Sequence, residues 1–439
     1  MHDHQALYAD RLMNADAAAA LIPSGARIAM GLGVSQPPAL LRALADRASR
    51  EEIEDVNIYY LLSTAIAGET VFQWELTPRL RPHSLFHGPI ERALEARGRA
   101  EGRKAVWFVP TGFQQAPRLL CDTIGVDTLL TTVSPMDEDG NFSFGTNTDY
   151  VQPVSRTARR LILEVNPNMP RVFGECTVHV SQVTAVVENT VPLLEVTKAR
   201  PAPQDLAIGD IIAGLVEDGA TLQMGIGALP NAVCAALEHH RDLGIHTEML
   251  TPGLVDLMRS GVVSNRRKTL HPDLSVFSFS MGDRSTYDFI DGNRDLAAYP
   301  VSYVNDPAVI ARNDRMVSVN ATLQIDLHGA CCSEHLNGRQ FTASGGQLDF
   351  VRGAYASRGG RSIIACHSTA AKGQVSRIVP RLDGPVTTPR NDTHIVVTEH
   401  GWADLKGMTS SERATALIRL AAPEFREALT ASARDEGLL

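Results

Sequence analysis

Short apolar runs alternate with amphipathic stretches along most of the chain. The runs at residues 106–109, 161–165, 316–319 and 395–397 are typical of buried strands, and those at 38–48 and 231–239 are typical of helices. Near the C-terminus, Thr409 and Glu412 have capping-box spacing, which predicts a last helix before Pro423. Strands that alternate with helices favour an α/β fold with mainly parallel sheets.

One strand–glycine–helix pattern occurs twice. Residues 25–33 read GARIAMGLG and are followed by Pro37, while residues 219–227 read GATLQMGIG and are followed by Pro230. Each copy predicts a short strand, a glycine turn and a helix with proline near its start. The chain is therefore expected to contain two related halves.

A polar segment with two prolines, residues 196–205, has the composition of a linker between these halves. The length of 439 residues also fits two domains of ordinary size. We therefore predict one α/β domain at residues 1–200 and another at residues 201–439.

Composition narrows the possible partners. The net charge of -9 argues against a nucleic-acid partner, since such partners require a basic surface. The sequence has no signal-peptide pattern and no uncharged apolar run near the roughly 18 residues of a membrane helix, so no membrane association is expected. The six cysteines form no metal-binding or disulfide pattern, which indicates a reducing cytoplasm and no metal site.

A single carboxylate, Glu248, lies within an apolar strand pattern, GIHTEM at residues 244–249. The corresponding run in the first half, VNIYYLL at residues 56–62, has no acid, so one active site per chain is expected. A glutamate at a strand end can also simply pair with an arginine or face solvent. The glycine loop at residues 225–229 favours a catalytic role for Glu248, because backbone amides at the start of a helix attract an anion or a developing oxyanion.

The glycine turns exclude some ligands and leave other roles open. The loop at 225–229 lacks the lysine of a P-loop and the third glycine of a dinucleotide site, so ATP and NAD are poor candidates. A second turn, TASGGQLDF at residues 342–350, is either a tight turn or a pair of amides that forms an oxyanion hole.

Five spaced motifs carry a resemblance that spans essentially the whole chain. They are VSPMDEDG at 133–140, GIHTEM at 244–249, SGGQLDF at 344–350, STAAKG with SRIVP at 368–380, and VTEHG at 397–401. Together they resemble the acetyl-CoA hydrolase/transferase family of family I CoA-transferases, which includes 4-hydroxybutyrate CoA-transferase.

The resemblance implies two tandem CoA-transferase-type domains of the NagB/RpiA-like α/β class. It implies that Glu248 is the nucleophile and forms a glutamyl-CoA thioester, that amides at Gly345 and Gly346 hold the oxyanion, and that Asn320 and Glu399 orient nearby groups. It implies no resident cofactor, with coenzyme A as a substrate. The residues implied to contact coenzyme A are Gly225, Ile226, Gly227, Ala228, Leu229, Thr342, Gly346, Gln347 and Lys372.

The implied activity is CoA transfer between a short-chain acyl-CoA, often acetyl-CoA, and a short carboxylate such as 4-hydroxybutyrate, by a homodimer or higher homo-oligomer. Acyl-CoA hydrolysis by the same nucleophile stays open, as does a non-catalytic CoA-binding or citrate-lyase-like subunit. Ala330, His400 and Ala343 stand where the family commonly has Gln, Tyr and Gly. These differences suggest an altered acyl pocket.

Overall fold

The computed structural model describes residues 4–439, which divide into two compact units. The first contains the chain up to Val196 together with Phe277–Tyr303, and the second contains Thr197–Val276 together with Val304–Leu439. A segment from the second half of the sequence thus belongs to the first unit.

The first unit is built around an all-parallel sheet of seven strands. In spatial order they are Trp107–Phe108, Leu80–Phe86, Val56–Leu61, Arg27–Met30, Thr128–Val133, Arg160–Val165 and Ala185–Glu188. Asn141–Ser143 and Thr177–His179 form a separate antiparallel pair. The helices are His4–Arg11, Ala15–Ala20, Pro38–Ser49, Ala65–Glu69, Pro89–Glu101, Ala116–Arg118, Val151–Ser155 and Arg284–Ile290.

The second unit has the same kind of sheet. Within this unit, six strands of the sheet lie in the order Gly244–Leu250, Thr221–Met224, Met316–Ala321, Arg361–Ala365, Ile395–Thr398 and Gly401–Asp404, and among their pairings only the last is antiparallel. The helices are Pro203–Ala213, Ala228–Ala236, Pro252–Arg259, Pro307–Ile310, Gln347–Ala356, Ser410–Leu420 and Arg426–Asp435. Small ladders join Gln324–Asp326 to Cys331–Cys332 and Ile378–Val379, His335–Leu336 to Arg339–Gln340, and Thr369–Ala370 to Val375–Ser376.

The two sheets share a strand order around their glycine loops. Arg27–Met30 pairs with the next strand, Val56–Leu61, and on its other side with Thr128–Val133. Thr221–Met224 pairs in the same way with Gly244–Leu250 and Met316–Ala321. The predicted mainly parallel α/β fold is confirmed, and the internal repeat is visible in this shared order.

The two copies differ at the start of the helix. In the first, the helix Pro38–Ser49 is capped by a buried carboxylate, because Glu164 Oε2 accepts hydrogen bonds from the amides of Ala39 at 2.9 Å and Leu40 at 3.1 Å. In the second, the helix Ala228–Ala236 follows Gly227, whose φ of 126° is open to glycine and which has no side chain for capping. In the first copy, therefore, backbone amides at the start of the helix already have a hydrogen-bond acceptor within the protein.

The last predicted helix is confirmed. Thr409 caps Ser410–Leu420 and forms a capping box with Glu412. The helix buries Ala414, Leu417 and Ile418 against the core of the second unit. Caps of this kind typically contribute about 1 kcal/mol to stability.

Three further observations concern only residues 4–439. No helix there has the length and apolar character needed to cross a membrane. No group of three or more His, Cys, Asp or Glu side chains in that range is arranged to hold a metal ion. The six cysteines are free thiols, and five of them are buried.

Candidate active site

Glu248 lies in the strand Gly244–Leu250, where it is the one residue that is not fully buried. Its Oε2 accepts a hydrogen bond of 2.6 Å from Nδ2 of Asn305, a side chain with no solvent exposure. A hydrogen bond to an ionised carboxylate is roughly twice as strong as one between neutral groups. Asn305 therefore fixes the direction in which this carboxylate points.

Gly346 packs its backbone directly against that carboxylate. A Cβ atom at this position would meet Glu248 Oε2 and Asn305 Nδ2 far inside 3.0 Å, a distance that real Cβ atoms essentially never breach. The φ of Gly346 is -95°, so close approach, and not backbone conformation, requires glycine here. Gly346 also caps the helix Gln347–Ala356, and the start of a helix favours negative charge.

The strand register places Glu248 beside the glycine loop. Thr221 pairs with Gly244 and Met224 with Val319, so extending both pairings brings Gly225 level with Glu248 on one side and Asn320 on the other. In-register side chains of parallel strands point to the same face, and two strand spacings amount to about 10 Å. Gly225 has no side chain, and a Cβ built there would meet nothing nearer than Pro230 Cγ at 3.9 Å, so the space over this residue, here called the slot, is open.

Asn320 faces this slot in a pair with Gln223. Asn320 Nδ2 donates to Gln223 Oε1 at 3.1 Å, and Gln223 Nε2 lies 3.5 Å from Asn320 Oδ1. The structure thus pairs Asn320 with Gln223, across the slot from Glu248.

Glu399 lies where the strand Ile395–Thr398 ends. Its Oε2 accepts from the amide of Ser368 at 2.8 Å, and its Oε1 accepts from the Ser368 hydroxyl at 2.6 Å. Burial alone would raise the pKa of Glu399, but the hydrogen bonds from Ser368 outweigh it, and the pKa lies below the usual value. Glu399 is therefore an ionised group that orders the loop at Ser368.

The remaining predicted residues occupy several loops of the second unit. The Thr342 hydroxyl donates to the carbonyl of Ser333 at 2.9 Å, and Gln347 Nε2 donates to Thr388 Oγ1 at 3.0 Å. Lys372 is exposed at the tip of a hairpin. In the glycine loop, Ile226 is 54% exposed, whereas Leu229 is buried as part of the helix Ala228–Ala236.

The positions that depart from the family pattern differ in exposure. Ala330 and Ala343 are buried, so their small size affects internal packing. His400 is partly exposed, and its Nε2 lies 3.9 Å from Glu399 Oε1.

Asn305 is the contact of Glu248 that sequence reasoning missed. Asn305 stands in the sequence NDP before a short helix, a context typical of a turn, and the motifs contain no signal for it. Asn305 lies 57 residues after Glu248 in the sequence, and only the fold brings the two side chains into contact.

Substitution of Asn305 should slow the reaction without unfolding the protein. Asn305→Ala removes one hydrogen bond to a charged group, which is worth about 1.5 to 3 kcal/mol and corresponds to a fall of roughly 10- to 100-fold in kcat/KM. Asn305→Asp should lower kcat/KM further at neutral pH, because a second carboxylate raises the pKa of the neighbouring Glu248 carboxylate and leaves less of it ionised for attack. Steady-state kinetics of both variants between pH 6 and 8 test this, and equal losses for the two variants would contradict it.

A buried lysine, Lys268, contacts the strand that contains Glu248. Lys268 Nζ donates to the carbonyls of Ile245 at 2.7 Å and Leu274 at 2.5 Å, so this member of a basic sequence cluster is not a surface ligand for phosphate. Burial lowers the pKa of Lys268 to about 7, and burial followed by the charge of Lys268 lowers the pKa of the nearby His246 to about 3. His246 is therefore neutral at physiological pH.

Lys268 should make stability depend on pH. The unfolded chain binds its proton up to the ordinary pKa of 10.5, whereas the folded chain releases it near 7, so the free energy of unfolding rises with pH between these values. Lys268→Met should remove about 1 kcal/mol per pH unit of this slope. Urea unfolding at pH 7.5 and 8.5 measures it, with the exposed Lys198→Met as control; parallel pH profiles of the wild type and Lys268→Met would refute the assignment.

A prominent cleft of the second unit does not include Glu248. It has a volume of about 770 Å³ and includes Asp314, Arg358 and Trp402. Asp314 and Arg358 precede the strands Met316–Ala321 and Arg361–Ala365, at the amino edge of the sheet. Ligands of open α/β sheets bind at the carboxyl edge, where the glycine loop, Asn320 and Glu399 lie.

Comparison with known proteins identifies the family of the chain. Residues 1–195 match the acetyl-CoA hydrolase/transferase N-terminal domain, and residues 282–433 match the acetyl-CoA hydrolase/transferase C-terminal domain. The chain is 42% identical over 427 residues to 4-hydroxybutyrate coenzyme A transferase of Clostridium kluyveri, which covers 96% of this chain and 97% of that protein.

Solved structures agree with the sequence matches. The crystal structure of RipA from Yersinia pestis has a TM-score of 0.97 and 55% identity, with 100% of both chains covered. That of 4-hydroxybutyrate CoA-transferase from Porphyromonas gingivalis has a TM-score of 0.84 and 36% identity, with 98% of this chain and 99% of the other covered. The chain therefore belongs to the acetyl-CoA hydrolase/transferase family.

Proposed function

We propose that the protein transfers CoA between a short-chain acyl-CoA and a short carboxylate, with Glu248 as the nucleophile. The observation that carries this proposal is the Glu248 carboxylate, held by Asn305 at 2.6 Å beside the glycine that starts a helix. The relative that is 42% identical over nearly the whole chain, 4-hydroxybutyrate coenzyme A transferase, supports the reaction class.

In the first half-reaction, a Glu248 oxygen attacks the thioester carbonyl and expels CoA as a thiolate, which gives an acyl-glutamyl anhydride. The thiolate then attacks the Glu248 side-chain carbonyl, releases the first carboxylate and forms a glutamyl-CoA thioester. A glutamate with an ordinary pKa of about 4.3 is ionised at neutral pH, so the attack requires no general base.

In the second half-reaction, the incoming carboxylate attacks the glutamyl thioester and regenerates an anhydride and a thiolate. The thiolate attacks the acyl carbonyl, which yields the new acyl-CoA and restores the Glu248 carboxylate. Each step forms one acyl bond and breaks one. Carboxylates are weak nucleophiles, so holding the reacting atoms together, worth about 7 to 11 kcal/mol in favourable cases, must supply much of the acceleration.

The neighbouring groups fit supporting roles in this scheme. Amides at Gly345 and Gly346 would stabilise the tetrahedral oxyanion, an effect of roughly 2.7 to 4 kcal/mol per donor. The loop 225–229, Thr342, Gln347 and Lys372 would contact CoA, and Asn320 with Glu399 would orient nearby groups. The slot over Gly225 offers space for the thioester between Glu248 and the Gln223–Asn320 pair.

Hydrolysis by the same nucleophile is the alternative, because water can also resolve the glutamyl thioester. The two reactions differ in whether the site excludes water. Release of free CoA from acetyl-CoA, measured with and without added butyrate or 4-hydroxybutyrate, distinguishes them. Transfer predicts new acyl-CoA and little free CoA, whereas free CoA that forms at the same rate without a carboxylate would establish a hydrolase.

The finer features of the molecule are proposals of the same kind. We propose that both domains are of the NagB/RpiA-like class, with a boundary near residue 200, and that the protein is a cytoplasmic homo-oligomer. Light scattering on the purified protein tests the oligomeric state.

A further inference from the structure

Arg377 is a cation at the carboxyl edge of the second sheet to which the proposed chemistry gives no role. Its amide donates to the carbonyl of Ser368 at 2.9 Å, and its carbonyl accepts from the amide of Ile325 at 2.9 Å. Ser368 is the residue that binds Glu399. The backbone of Arg377 is thus fixed among the loops that follow the strands ending at Ala321 and Ala365.

The guanidinium of Arg377 is held by carbonyl groups. Nε donates to Thr369 O at 3.4 Å, and Nη1 donates to Thr322 O at 3.3 Å and Leu323 O at 3.4 Å. Thr322 and Leu323 directly follow the strand Met316–Ala321, which carries Asn320, so this guanidinium lies at the carboxyl end of that strand. Three of the five N–H donors of an arginine are used in this way, and those of Nη2 remain for a ligand.

Arg377 forms no ion pair with an acidic side chain of residues 4–439, although the charges of Arg377 and Glu399 both act on the thiol of Cys366. Across residues 4–439, no carboxylate oxygen lies within ion-pair distance of this partly buried side chain. A guanidinium held in a fixed orientation is suited to bind an oxyanion, which its charge attracts and which the two N–H groups of Nη2 can contact.

A second cation extends from the same place. The strands Thr369–Ala370 and Val375–Ser376 form a hairpin with Lys372 at its exposed tip and Arg377 directly after its base. The hairpin therefore has a fixed cation at its base and an exposed one at its tip, an arrangement that fits an extended ligand with several negative groups.

We infer that Arg377 binds an oxyanion of the acyl-CoA substrate and thereby sets substrate preference. This oxyanion is either the remote carboxylate of a dicarboxylic acyl group or a phosphate of coenzyme A. The inference rests on the proposed function, since it assigns a ligand to the same site.

Four thioesters separate the two sources: a monocarboxylic and a dicarboxylic acyl group, each on coenzyme A and on pantetheine, which lacks the phosphates. If Arg377 binds the acyl carboxylate, Arg377→Gln should raise KM about 10- to 100-fold for both dicarboxylic thioesters only. If it binds a phosphate, KM should rise by that factor for both CoA thioesters only. Arg377→Lys should show the same pattern with a smaller loss, because lysine keeps the charge but not the fixed orientation of the guanidinium.

A purely structural role gives a different result. Equal loss of kcat/KM with all four thioesters, including the monocarboxylic pantetheine thioester that has neither anion, would overturn the inference. Arg358→Gln is the matched control, because Arg358 is an exposed arginine paired with Asp314 at the opposite edge of the sheet. It should leave all four KM values unchanged.

The failure of the proposed function would be visible separately, as an absence of CoA transfer by the wild-type protein. In that case, calorimetry with coenzyme A, pantetheine, a monocarboxylate and a dicarboxylate compares the wild type with Arg377→Gln. A loss of affinity in Arg377→Gln for coenzyme A but not pantetheine, or for the dicarboxylate but not the monocarboxylate, supports the inference. Unchanged binding of all four, or an equal loss for both members of each pair, contradicts it.

Discussion

Glu248→Gln is expected to lower CoA transfer by at least about 10³-fold while leaving the fold intact. Glutamine has the shape of glutamate, and its side-chain oxygen can still accept from Asn305 Nδ2, now 2.6 Å from Glu248. What it loses is the anionic oxygen that attacks the thioester. Mass spectrometry after incubation with acyl-CoA should detect a CoA adduct on the wild-type protein and none on the variant.

Two further variants sharpen this test. Glu248→Asp keeps the charge but withdraws the carboxylate by one methylene, and a displacement near 1 Å can cost about 10²-fold, so an intermediate rate is expected. Glu238→Gln removes an exposed acid and should behave as wild type. Transfer by Glu248→Gln at wild-type rate would exclude Glu248 as the nucleophile and require another group to accept CoA.

The sequence predicted those parts of the molecule that depend on neighbouring residues. The strand of Glu248, the glycine turn at Gly227 and the capping box of Thr409 are each determined within a few positions of the chain. Backbone conformation and capping are local, so a short pattern is enough to indicate them.

Contacts between distant segments were beyond this kind of reasoning. Asn305 meets Glu248 across 57 residues, and Asn320 meets Gln223 across 97. Each contact depends on which strands are neighbours and on their register, and neither leaves a trace in local periodicity. The same holds for residues 277–303, whose membership of the first unit depends on the fold and not on a local pattern.

The burial of Lys268 shows a second limit of local sequence patterns, which do not reveal whether a basic side chain is exposed or buried. Three consecutive basic residues, Arg266, Arg267 and Lys268, are compatible in sequence with a surface that binds phosphate. In the structure, Lys268 instead turns inward and donates to the carbonyls of Ile245 and Leu274. A buried lysine of this kind is stabilised by carbonyl partners that the sequence cannot reveal, because every residue has a carbonyl group.

Gly346→Ala is expected to reduce kcat by about 10²-fold or more, although it adds a single methyl group. That group would meet Glu248 Oε2 and Asn305 Nδ2 well inside contact distance, with the Glu248 Cδ atom at 3.1 Å. One or both side chains must move, and misplacing a reacting atom by about 1 Å can cost 10²-fold. Steady-state kinetics and thermal unfolding of the variant measure the loss and show whether the fold persists.

Gly214→Ala is the matched control, because a Cβ there meets nothing closer than 3.4 Å and its φ of -64° suits alanine. It should keep full activity. The double variant Gly346→Ala with Asn305→Ala gives a second check: removing the Asn305 amide frees space for the displaced carboxylate, so the combined loss should be smaller than the product of the single losses. Strictly multiplicative losses would mean that Gly346→Ala acts elsewhere than on the Glu248–Asn305 pair.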